Sequence, residues 1–248
     1  MLSAIPPTPI GRFLEISIHA PAIQQSLEFY QSLGFEEASV GETWPHPYAV
    51  VTDGRLFIGL HAAPISSPML TFVSPRLATG IGHLRDQGVR FEQEHLGSEE
   101  FNQASFRDPS GLYVRLLEAR TFSPPSLGAA IATTTCGYFS EFGIPVRDAA
   151  PSRDFWEPLG FVAMEEELLP FARTALTSDL LNLGLYRTRT LRKPVLSFED
   201  PDMRERLARL RERGFQLSDE MPDTLDETTN AILRAPEGTQ LLLLQSEI

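Results

Sequence analysis

The stretch "SLEFYQSLGFEE" (Ser26–Glu37) returns in altered form as "SRDFWEPLGFVA" (Ser152–Ala163), 126 residues later. The offset holds further along the chain. "HLRDQG" (His83–Gly88) is answered by "RLRERG" (Arg209–Gly214), and Pro68 by Pro194. Towards the end it drifts by one residue, so that "DPSG" (Asp108–Gly111) is answered by "APEG" (Ala235–Gly238). Registration over most of a chain is the mark of duplication. Between the copies lies "TFSPPSLGAAIATTT" (Thr121–Thr135), uncharged and rich in Pro, Ser, Ala and Thr, which reads as a linker. The expected organisation is an N-terminal extension over 1–10, a first domain over 11–120, a linker over 121–135 and a second domain over 136–248.

Each copy is double inside. In the first, "FLEISIHA" (Phe13–Ala20) alternates as a strand does. A helix follows with Ile23, Leu27, Tyr30 and Leu33 on one face, and Gly34 is placed to cap it. Strands are expected over Glu36–Val40, Tyr48–Thr52 and Arg55–His61, the last two joined by the hairpin signal Asp53-Gly54. A second unit opens with "MLTFV" (Met69–Val73) and a helix whose Leu77, Ile81 and Leu84 recur by four and three, ending at Gly88. Met203, Leu207 and Leu210 repeat that spacing before Gly214. Pro158 should cut the third helix short, and "PEG" should join the last two strands.

With 248 residues and 42% hydrophobic content, two domains can each bury a core. A single cysteine, Cys136, leaves no internal disulfide framework. No signal-peptide or membrane-span pattern is seen, so a cytoplasmic protein without membrane partners is expected. The net charge of −12 argues against nucleic acid and favours small molecules, with cations among them. A monomer or homodimer is expected. Phosphate loops, Cys-x-x-Cys pairs and Gly-x-Ser-x-Gly elbows are absent from the sequence.

Four strand–helix–three-strand units, paired into two domains and closed by "DPSG" or "PEG" turns before a last strand, resemble the vicinal oxygen chelate superfamily. Its members include glyoxalase I, the bleomycin and fosfomycin resistance proteins and the extradiol dioxygenases. The resemblance implies an α+β fold of two tandem glyoxalase-like domains, each a pair of βαβββ units curved into a cup. It also implies metal ligands, His or Glu, at four inward positions of a cup. In the first domain these fall on Glu15, Gly59, Met69 and Arg115; in the second, on Glu141, Gly184, Val195 and Leu242. One glutamate per cup does not hold a divalent ion, which needs about three protein ligands even at an open site. The second domain, moreover, contains no histidine, against a dioxygenase.

Without a metal, Glu15 and Arg115 are expected to pair across the floor of the first cup. Ser17, His19, His61, Thr71 and Tyr113 share their strand parity and would complete a polar pocket. Trp44 and His46, with Tyr48, lie in "GETWPHPYAVV" (Gly41–Val51) and would stack on a flat ligand at the mouth. The second cup is expected to be lined by Glu141, Asn182, Gly184, Tyr186, Val195, Ser197, Gln240 and Leu242. Glu141 there would meet a ligand, meet water or take up a proton. The leading expectation is a protein similar to the bleomycin resistance branch, binding a small organic molecule with no cofactor. One alternative is a glyoxalase-like lyase or isomerase with a shifted divalent-metal site from Glu15, His61 and His19. Another is a scaffold whose cups are filled by its own side chains.

Overall fold

Apolar residues at alternate positions make strands, and each strand–helix–three-strand unit contributes half of a sheet. The computed structural model describes residues 9–40, 44–99, 101–119, 133–179, 181–218 and 220–246. Most of the expected N-terminal extension and linker therefore lies outside the described residues. The first unit runs β1 (Arg12–His19), α1 (Ile23–Ser32), β2 (Glu36–Ala38), β3 (Tyr48–Thr52) and β4 (Phe57–His61). The second runs β5 (Met69–Ser74), α2 (Leu77–Asp86), β6 (Phe91–His95), β7 (Gln103–Arg107) and β8 (Tyr113–Glu118). Together they form one eight-stranded mixed sheet in the order β2-β3-β4-β1-β5-β8-β7-β6.

The second half repeats this plan. Its units are β9 (Tyr138–Pro145), α3 (Ala150–Trp156), β10 (Val162–Ala163), β11 (Ala172–Thr177) and β12 (Leu183–Arg187), then β13 (Val195–Asp200), α4 (Met203–Glu212), β14 (Leu217–Ser218), β15 (Ala231–Arg234) and β16 (Gln240–Gln245). The sheet order, β10-β11-β12-β9-β13-β16-β15-β14, is the same. The architecture is thus α+β, with two tandem domains. Pro158 ends α3 as expected, with a single 3-10 turn at Glu157–Leu159. Gly34 and Gly160 close the first helix of each domain at φ +95° and +104°, a region where a Cβ would be strained.

One departure from simple alternation positions the site. The pairing of β1 with β5 slips between Phe13 and Glu15, and that of β9 with β13 slips at the matching place. The bulge reverses side-chain parity. Phe13 therefore packs edge-on against Phe72 and Phe139 against Phe198, both on the helical side, while Glu15 and Glu141 turn into the cups.

The helical faces of both sheets share one continuous apolar core, to which Tyr30, Phe35, Phe72, Trp156 and Phe198 all belong. The domains join reciprocally. Ser26 and Tyr30 of α1 donate to the Glu237 carboxylate in the "PEG" turn at 2.7 and 2.9 Å. Trp156 of α3, the counterpart of Tyr30, donates from Nε1 to Asp108 Oδ2 in the "DPSG" turn at 3.0 Å. Burial and the Glu237 charge raise the Tyr30 pKa, so its O–H remains a donor.

Candidate functional site

Glu15 is the centre of the first cup, 2% exposed on the middle of β1. Its side chain leans over Gly59 of β4, where an added Cβ would come within 2.2 Å of the carboxylate. The missing side chain makes room for the carboxylate, and three donors meet it there. Ser17 Oγ donates to Oε1 at 2.6 Å, and His61 Nε2 lies 3.0 Å from the same oxygen. The Tyr48 hydroxyl donates to Oε2. Burial, followed by the adjacent Glu15 charge, raises the Tyr48 pKa and keeps that hydroxyl protonated. The network extends from Ser17 to Thr71 Oγ1 at 2.7 Å, and from His61 Nδ1 to His46 Nε2 at 3.0 Å.

Rings stand above this floor. The Trp44, His46, Tyr48 and His61 centroids lie 4.6 to 6.3 Å apart, each ring against His61. Desolvation, then the neighbouring His61 and Arg115, lowers the His46 pKa, which leaves that imidazole neutral at pH 7. The guanidinium of Arg115 sits 5.1 Å over the Trp44 ring. Tyr113 bonds Ser105 at 2.8 Å and carries Arg107 over its ring.

Two expectations change. Glu15 and Arg115 form no ion pair: β5 separates their strands, so two strand spacings of about 4.8 Å intervene, while Gly59 draws Glu15 to the opposite side. His19 does not join Glu15 and His61; its backbone N–H donates to Ser67 Oγ at 3.0 Å. Among the described residues no group of three or more His, Cys, Asp or Glu is placed to hold a metal ion. The residues at the four inward positions do not fit the superfamily's metal, since Glu15 itself fills the space above Gly59.

The second cup is built at equivalent places with different groups. Glu141 leans over Gly184, and Arg173 of β11 grips it in a fork, Nε to Oε1 at 2.6 Å and Nη2 to Oε2 at 2.8 Å. Tyr186 adds its O–H at 2.7 Å. Burial pulls the Arg173 pKa down, but the bonds and charge of Glu141 outweigh it and raise it overall. Glu141 thus has the basic partner that its cup-lining neighbours lacked. Arg173 pairs in register with Tyr186, and Tyr48 with His61, so these pairs occupy matching sites. Only the cross-strand register places Tyr48 and Arg173 beside their glutamates, and the repeat offset of the surrounding strands was the available signal.

Size is exchanged between the cups. An added Cβ at Gly143 would lie 2.3 Å from the Tyr186 ring, whereas the matching Ser17 faces the smaller His61. Around Tyr186 a second apolar cluster packs Phe171, Leu191, Val195, Met221, Leu225 and Leu242. The second cup is therefore largely filled, while the first is walled by polar groups. Cavities of about 380 and 300 Å³ lie elsewhere, one beside Phe215 and Met221 and one in the domain seam by Ile16 and Phe142. Residues 41–43, which lead into Trp44, are outside the described residues.

No protein-family model matches the sequence, and no curated protein matches it. The fold does match solved structures. A catechol 2,3-dioxygenase superposes with a TM-score of 0.58 at 14% identity, over 95% of this chain and 87% of that one. Homoprotocatechuate 2,3-dioxygenase from Brevibacterium fuscum, in an anaerobic complex with 3,4-dihydroxyphenylacetate, gives 0.61 at 14% identity over 96% and 81%. The chain has the two-domain fold of these 2,3-dioxygenases. At that identity the likeness is one of fold alone.

Proposed function

We propose that this chain is a metal-independent binding protein that holds a small organic molecule in its first cup. The observation that carries the reading is the asymmetry between the cups. One holds a polar network around Glu15, with rings and Arg115 above it. The other is packed with apolar side chains. Trp44, His46, Tyr113 and Arg115 are the proposed contact groups, above a buried floor of Ser17, His61 and Thr71 around Glu15. The second cup, with Glu141 and Tyr186, is assigned a structural role, the scaffold reading confined to one domain. Dioxygenase chemistry is not carried over from the structural relatives, because among the described residues no group of three or more His, Cys, Asp or Glu is placed to hold its metal. The proposed domains remain 11–120 and 136–248, in a cytoplasmic monomer or homodimer.

Elemental analysis of purified protein incubated with Ni, Zn, Mn and Fe, followed by a thermal-shift screen of small molecules, tests this. The expected result is sub-stoichiometric metal and a stabilising ligand whose effect is lost in Trp44→Ala and His61→Ala. Stoichiometric metal that disappears in Glu15→Ala and His61→Ala would replace the reading with the metal-dependent lyase or isomerase.

A further inference from the structure

We propose that the ligand of the first cup is an organic carboxylate with an aromatic body, its carboxylate held by Arg115 and its ring by the Trp44–His46 wall. The inference rests on the reading of that cup as the ligand site and adds the charge and class of what enters it.

The two opposite charges of the cup, Glu15 and Arg115, are served unequally. Glu15 accepts from Ser17, Tyr48 and His61, so its carboxylate is already served by three donors. Arg115 has no such service. It is half-buried on β8, its guanidinium lies against Trp44, and its side chain makes no hydrogen bond or ion pair among the described residues. Arg173 and Arg206, the other part-buried arginines among the described residues, each hold a carboxylate. A cation that faces inward without one is therefore an exception that the supply of acidic groups does not explain.

The surroundings identify what would satisfy it. The groups that face Arg115 are Trp44, His46, Glu15 and Tyr113, and none brings a carboxylate into contact. Desolvation lowers the Arg115 pKa and Glu15 at longer range offsets part of this, yet a guanidinium stays charged. Its planar fork of N–H donors matches the two oxygens of a carboxylate, and stacking on Trp44 fixes the plane of that fork. A neutral His46 adds no repelling or competing charge. The adjacent rings offer the flat surface on which an aromatic body stacks. A cationic ligand, which the overall charge of the chain suggested, would be repelled by the guanidinium of Arg115.

Benzoate, benzamide and benzamidine share one ring and carry negative, zero and positive charge. Each is titrated into the full chain, with intrinsic fluorescence and melting temperature as readouts. Trp44 and the interface residue Trp156 are the only tryptophans, so Trp44→Phe supplies the spectral blank. Benzoate should give a saturable change in Trp44 emission, with the other two at least about tenfold weaker, as loss of a charge-assisted hydrogen bond implies. Arg115→Met should abolish the benzoate response and Arg115→Lys should keep part of it. Equal or tighter binding of benzamide or benzamidine, an unchanged response in Arg115→Met, or no response to any probe would overturn the inference. The underlying reading fails differently: every ligand found by the broad screen would then be insensitive to substitution at both Trp44 and His61.

Discussion

At the scale of the residue, the first cup is decided by a side chain that is missing. Gly59 lets Glu15 lie across β4, and this contact chooses its partners. Gly59→Ala would push a methyl group to 2.2 Å from the carboxylate and displace it from Tyr48, Ser17 and His61. A loss of about 1–3 kcal/mol is expected in denaturant unfolding, the cost of leaving a buried acceptor short of donors. Cys136 gives a second prediction. Burial raises its thiol pKa from 9.0 to about 12. The folded state keeps a proton that the unfolded chain releases, so its contribution is whole below pH 9 and is lost as pH rises towards about 12. Between pH 9 and 10, before tyrosines titrate, wild-type stability should fall with pH and that of Cys136→Ala should fall less. Thiol reagents should label the wild type at neutral pH only after denaturation.

Paired strands explain what single residues do not. β3–β4 brings Tyr48 and His61 to Glu15, and β11–β12 brings Arg173 and Tyr186 to Glu141, in matching register. The duplicated strands have kept the acid and changed both of its partners. Arg173→Met should destabilise the protein by about 3 kcal/mol, at the low end for a broken buried pair because Arg173 is partly exposed. Combining it with Glu141→Gln should recover a large share of that loss, as a double-mutant cycle would measure. Binding in the first cup should be unaffected by either change. The strands and helices themselves were legible: Tyr48–Thr52 coincides with β3, and the four-and-three spacing of Leu77, Ile81 and Leu84 lies on α2. The bulge before Glu15 was not, since a slip in pairing belongs to two strands at once.

In the whole molecule, each domain lends an aromatic helix residue to a turn of the other. Asp108 holds its own turn through Oδ1, which accepts from the N–H groups of Ser110 and Leu112, and reaches Trp156 through Oδ2. Trp156→Phe should keep most of the packing and lose the bond, lowering stability by about 1.5–3 kcal/mol, as expected for a partner of a charged group. Thermal unfolding should stay a single transition in that variant, because one continuous core joins the domains. Two separated transitions would mean that the bond, rather than the core, couples them.

The sequence by itself determined the duplication and the order of elements, because each is written in local periodicity, turn chemistry and residue type. Glu15, Gly59, Met69 and Arg115 could be placed on one inward face only through the superfamily resemblance together with strand alternation. The partners of the glutamates, the filling of the second cup and the lack of an ion pair at Arg115 were decided only in three dimensions. They depend on which strands are neighbours and in what register. Two strand spacings part Arg115 from Glu15, and a glycine on the other side turns the carboxylate away.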